Sequence, residues 1–224
     1  MITAVLLAAF VGAVPPALVT ARDQQDRGAL SRMVSEYAAA AAKAPKDADA
    51  HYRVALASSY LAEVALELRD KKQAQDAAER GIQAAERAVA LRPDVAEHYR
   101  VLGTLCGQVI PANVLTGLSY GKRAKEAINK AIEKDPRSSA AYLARGVGNY
   151  YLPAALGGGV DLALTDFRKA LELDPKNADA YLWLGLSLRK QNKNRDARDA
   201  FTKSLALDSK RIWVKQQLEK TPAK

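Results

Sequence analysis

Apolar residues return every three or four positions along most of this chain, and no stretch alternates convincingly with period two. The pattern predicts helices and essentially no sheet. Near the C-terminal end, Tyr181, Leu184, Gly185 and Leu188 mark one helix face, and Ala197, Phe201, Ser204 and Leu205 mark the next. The polar run Asn192-Lys193-Asn194 reads as the turn between them. The spacing Ala163–Phe167–Ala170–Pro175 is answered 34 residues later by Ala197–Phe201–Ser204–Ser209. Earlier in the chain the same phrase is stretched. Tyr142 and Gly146 belong with the Ala163 set, and Tyr99, Leu102 and Gly103 lead to Ala124, Ile128, Ala131 and Pro136. The extra residues fall between helices, at Leu152–Gly159 and at Ile110–Tyr120. The first copy is the most degenerate, with His51 or Tyr52 at the aromatic position, Ala55 for Gly, and then Ala85, Ala88 and Pro93. Its helices, Ala48–Arg69 and Lys72–Leu91, are predicted to be long.

These spacings resemble the tetratricopeptide repeat (TPR), a 34-residue helix–turn–helix unit with small residues where helices cross and Pro at its close. The resemblance is clearest in the last two units and covers about residues 47–210. It implies an all-α, right-handed solenoid of about four irregular units, at 47–94, 95–137, 138–176 and 177–210. Residues 22–46 are expected to add an N-terminal helix (Asp23–Lys43), and 211–224 a capping helix and tail.

The abundant alanine at Ala38–Ala42 and within Ala84–Ala90 suits helices that pack closely. The single cysteine, Cys106, excludes an intrachain disulfide, and its apolar helical neighbours make it a packed thiol. The net charge is +9, and it is concentrated late: from Leu186 onward eleven Lys/Arg stand against four acids. Such an end suits either a solvated cap or an acidic partner; with only Trp213 among those charges, nucleic acid is not expected. Residues 1–21 carry no charged side chain, have an apolar stretch from Ile2 to Val14, and end Val19-Thr20-Ala21 before Arg22-Asp23. That arrangement resembles a secretory signal peptide without the usual basic n-region. It predicts a periplasmic or secreted bacterial protein, or, if uncleaved, one anchored to the inner membrane. Pro15-Pro16 shortens the run below the roughly 20 residues that span a bilayer.

The TPR resemblance also implies a binding face. In such proteins the concave groove is lined by positions two, five, nine, twelve and thirteen of each first helix. Here the unit near Ala96 would contribute Arg100 and Thr104, and the next Leu143, Val147, Tyr150 and Tyr151. The last would contribute Leu182, Leu186, Arg189 and Lys190. That groove would be apolar and aromatic in the middle with cations at its flanks, suited to a peptide or helix with acidic character. The clamp that grips a chaperone's terminal carboxylate is absent, because Asp179 and Trp183 stand at two of its positions. Arg145 occupies a usually buried Leu position and must either anchor a ligand or pair with Asp161 or Asp166. Gly157-Gly158-Gly159 lacks the Lys-Ser/Thr of a phosphate loop, being followed by Val160-Asp161. His51 and His98 have no metal-ligand companions, and no catalytic set has motif support.

The sequence therefore predicts a scaffold or adaptor in the cell envelope with no catalytic activity, cofactor or metal, binding a protein or peptide segment on its concave face. Membrane contact is expected only through an uncleaved N-terminal segment. A small-molecule-binding accessory subunit of a periplasmic transport system is the alternative, and a self-associating scaffold the third reading.

Overall fold

A computed structural model of the chain describes residues 14–112 and 117–223. Of the two readings that fall on the remainder, most of the apolar stretch 2–14 and part of the segment 110–120 lie outside the described residues. The described chain forms eleven α-helices: α1 (Pro16–Asp23), α2 (Arg27–Lys43), α3 (Ala48–Glu67), α4 (Lys71–Leu91), α5 (Ala96–Val109), α6 (Gly117–Lys134), α7 (Ser139–Tyr151), α8 (Val160–Leu173), α9 (Ala178–Lys190), α10 (Asn194–Leu207) and α11 (Ile212–Glu219). Short 3-10 turns at Ile110–Ala112 and Ala154–Leu156 occupy the two stretched connections, and no described residue is in a strand.

Local chemistry sets the helix starts. Asp26, Asp47, Asp70, Ser138 and Asn177 each accept a hydrogen bond from a first-turn amide, satisfying donors that the helix leaves unpaired. Successive helices then pack as antiparallel pairs, and each pair needs one close approach. Gly185 provides it in the pair α9–α10: a Cβ there would lie 2.6 Å from the Phe201 ring, which is fully buried. Gly146 stands in the same relation to Phe167 in the pair α7–α8.

The array begins earlier than the sequence pattern predicts. Residues 16–43 form a helix pair whose turn repeats those of later pairs. Gln25, Arg69 and Asn192 all adopt positive φ, at 55°, 65° and 62°. Each is followed by an amide that reaches back across the turn, Asp26 to Ala21 (2.8 Å), Asp70 to Ala65 (2.8 Å) and Lys193 to Leu188 (3.0 Å). Helix α1 is thus the truncated first helix of an additional N-terminal unit. Leu18 is fully buried, and Ala21, Arg22 and Asp23 are buried beside it. A leader boundary after Ala21 would fall inside this packed helix, which with α2 forms one helix pair from Pro16 to Lys43. At the other end, α11 continues the alternation as the first helix of a further half-unit.

Two apolar clusters result. One runs from Leu18 through α2–α5 to Val109, and includes Cys106, whose thiol burial pushes up to about 11. The other joins Leu164, Leu182, Leu186, Phe201 and Val214 across α8–α11.

Candidate functional site

The first helices of the units bring their inner faces together, and the two ends of the array meet across that face. Arg22 of α1 lies with its guanidinium 5.0 Å from the Tyr60 ring centroid on α3, and donates to Asp179 of α9 at 2.8 Å. Asp179 stands at one of the clamp positions, and its contact with Arg22 joins the first and fifth helix pairs directly. Arg211, at the start of α11 and 1% exposed, binds Glu63 of α3 at 2.7 Å and also pairs with Glu67. It donates further to the Arg22 carbonyl oxygen at 3.2 Å, and Gln216 reaches Gln25 at the same distance. Burial and the neighbouring Glu63 push the Glu67 carboxyl up to about 7 against the opposing pull of Arg211. Asp179, by contrast, is held below its ordinary value by Arg22 and Arg211 in spite of its burial.

Beside this junction runs a chain of aromatic rings. Tyr151 meets Tyr150 edge-on at 5.1 Å, both meet Trp183 (5.9 and 5.5 Å), and Trp183 meets Trp213 at 5.7 Å. The series connects α7, α9 and α11. Tyr151 is 65% exposed, yet crowding by the surrounding chain, then Tyr150, Glu67 and Glu63, pushes its hydroxyl up to about 12. Lys190 lies 4.5 Å from the Tyr150 ring and donates to its carbonyl oxygen at 3.2 Å.

The remaining predicted groove residues divide. Leu143 and Val147 are half-buried on α7, on the same helix as the tyrosines. Thr104 is half-buried and donates to the Arg100 carbonyl oxygen. Leu182 and Leu186 belong to the second apolar cluster rather than to an open surface. The flanking cations are also engaged. Arg100 grips Glu97 at 2.5 and 2.6 Å, and Glu97 in turn accepts from the Tyr52 hydroxyl. Arg189 donates to the Gln217 side chain and to Thr221. Among the predicted cations, Lys190 is the exposed one.

Arg145 is a structural partner. It binds Asp166 of α8 through two nitrogens, at 2.6 and 3.0 Å, and lies 5.0 Å from the Tyr142 ring. Asn149 donates to the other Asp166 oxygen at 2.8 Å, so the buried carboxylate is satisfied from one helix. His98 is buried, hydrogen-bonded to the Ala88 carbonyl oxygen and stacked on Tyr52, and burial lowers its pKa. Among the described residues no group of three His, Cys, Asp or Glu side chains is placed to hold a metal, and no helix is long and apolar enough to cross a membrane.

Sequence comparison fits this architecture. The family model for regulator of microtubule dynamics protein 1-3 matches residues 18–152, more than half of the chain. The chain belongs to that family. The match begins at Leu18, inside α1, and ends one residue past α7. Two TPR models match residues 157–192 and 178–211, so the C-terminal pairs of this regulator of microtubule dynamics family member are TPR units. No curated protein matches the sequence significantly. Among solved structures, a thermophilic TPR protein of Thermus thermophilus is similar over 86% of this chain and 90% of its own, with 20% identity and a TM-score of 0.64. The HusA haemophore of Porphyromonas gingivalis is similar over 80% and 96%, with 20% identity and a TM-score of 0.56. Both likenesses establish the fold, an all-α TPR solenoid, and nothing about ligand.

Proposed function

We propose that this family member is a scaffold without catalytic activity that captures a protein segment on its concave face. The observation that carries this reading is Tyr151. It is a largely exposed aromatic ring at the end of the first helix α7, backed by Tyr150 and Trp183 and flanked by Lys190. Rigid aromatic side chains that can shed water on one face are favoured anchors for a partner's apolar residue. Arg100 and Arg189 already have internal acceptors, so acidic character in the partner would be read by Lys190 and by exposed cations outside the groove such as Lys193, Arg195 and Lys203. The family is named for the regulation of microtubule dynamics, and a segment-binding scaffold suits that name.

The same proposal keeps the cell envelope as the location, with the apolar segment retained as a tether. Cutting after Ala21 would remove the buried Leu18.

A photo-crosslinking residue at Tyr151, compared in cells with one at the exposed Leu162 of α8, tests the function. One or a few protein adducts specific to position 151 are expected. Identical adducts at both positions, or none at 151, would contradict concave-face capture.

A further inference from the structure

The junction between the two ends of the array is strongly polar. It is made by charged and amide side chains: Arg22, Asp23 and Gln25 from one end, Asp179, Arg211 and Gln216 from the other, with Glu63 and Glu67 between them. The apolar clusters on either side stay separate and do not seal it. Two guanidiniums face four carboxylates there, and the Arg211 Nε is buried without a hydrogen-bond partner, its nearest carboxylate being Asp23 at 3.8 Å.

Buried ion pairs give back much of their attraction as desolvation, whereas apolar contacts do not. Parting the two ends returns six charged groups to water, so much of the attraction lost is recovered as hydration. We propose that it is a latch: the array exchanges between the closed form of the structure and an open form in which the first and last helices separate and the concave face becomes accessible. The consequence for partner access rests on the concave-face reading; the exchange itself does not.

The charge balance gives the latch a pH dependence. Glu67 is faced by Arg211 from the start of α11, Glu63 from α3, Gln25 from the α1–α2 turn and Tyr151 from α7. Arg22, Asp23 and Asp179 belong to the same junction, with Tyr60 beside Arg22, Asp208 acting on Asp23 and Arg100 on Asp179. Its carboxyl is raised to about 7 in the closed form, where burial disfavours the charge, and returns toward the ordinary carboxylate range when opening exposes it. Closing therefore takes up a proton. The closing constant is fully supported below the ordinary Glu range and falls, by up to about tenfold per pH unit, as pH rises toward 7. Burial raises Asp23 in the same direction, while the lowered Asp179 opposes only at strongly acid pH.

The test needs no partner. Spin labels on Gln24→Cys and Lys215→Cys, both exposed and each next to a residue of the Gln25–Gln216 pair, report the end-to-end distance by pulsed electron resonance. Cys106, buried with its thiol pushed up to about 11, does not compete for label. The full chain is expected to show one short distance at pH 5.5 and a second, longer population that grows by pH 8.5. Arg211→Met is expected to favour the long distance at both, by about a hundredfold in the closing constant. Should that variant fail to fold, Glu67→Gln decides: a neutral side chain there should keep the short distance at pH 8.5. A single short distance in the parent chain at both pH values, or unchanged pH dependence in Glu67→Gln, would overturn the latch and leave the concave-face reading standing.

Discussion

A chain that begins at Arg22 is expected to melt about 10 °C below one that begins at Val14, although only eight residues separate them. The difference comes from what α1 covers. Leu18 is fully buried in one apolar cluster with Tyr52 and Leu56, against which Tyr37 packs, so its removal uncovers both its own site and part of theirs. Burying one leucine contributes about 1.5–3 kcal/mol. The Ala21 carbonyl oxygen that closes the α1–α2 turn is lost as well, together with the helix that holds Arg22 over Tyr60 and against Asp179. Together these amount to about 4 kcal/mol, and a domain of this size loses about 2–4 °C per kcal/mol. Thermal unfolding followed by circular dichroism measures it. Equal melting temperatures would mean that α1 is an appendage.

Phe201→Ala is expected to cost about 3–5 kcal/mol, and Gly185→Ala about 1–3 kcal/mol, because the ring and the glycine are two halves of one contact. Phe201 is fully buried in the second cluster, and its ring edge occupies the space that a Cβ on residue 185 would need, 2.6 Å away. The ring is anchored in a helix on the far side and cannot retreat without opening the pair α9–α10. The two losses should therefore not add. Once Phe201 is shortened to alanine, the added methyl at 185 has room, and the double variant should be no less stable than Phe201→Ala alone. Denaturant unfolding of the four proteins gives the coupling. Additive losses would show that the close approach at Gly185 is not what the glycine is for.

Most of the array was legible because its information is local. The Tyr142–Gly146 and Tyr181–Gly185 faces, the Phe167 and Phe201 positions and the prolines at 93, 136 and 175 carry a period that survives the stretched connections. Helix α1 was not, because its residues have two readings. Val19-Thr20-Ala21 after an apolar run looks like a cleavage signal, and α1 has neither the glycine nor the aromatic residue of later first helices. The usable sign was downstream: Ala44-Pro45 closes the pair as Asp174-Pro175 does, and Gln24-Gln25-Asp26 offers a turn followed by a capping aspartate.

The candidate site was legible by position but not by partner. Register placed Tyr150, Tyr151 and Arg100 on first helices correctly, yet it could not show that Arg100 is spent on Glu97 or that Leu182 is core. Arg211 meets Glu67 across 144 positions of sequence, and Arg22 meets Asp179 across 157. Such contacts follow from the curvature summed over the whole array, which no single repeat encodes.

The central claim is that the chain is one array whose two ends meet. Hydrogen exchange on the full chain tests it most directly, since free termini fray with almost no cost and ends held in a closed fold do not. Amides of Leu30 and Asp26, which close the first pair, and of Lys215 and Lys220, which lie in α11 and at its end, should be protected and should lose protection together when pH is raised. Fast exchange at one end with the other unaffected would contradict the account.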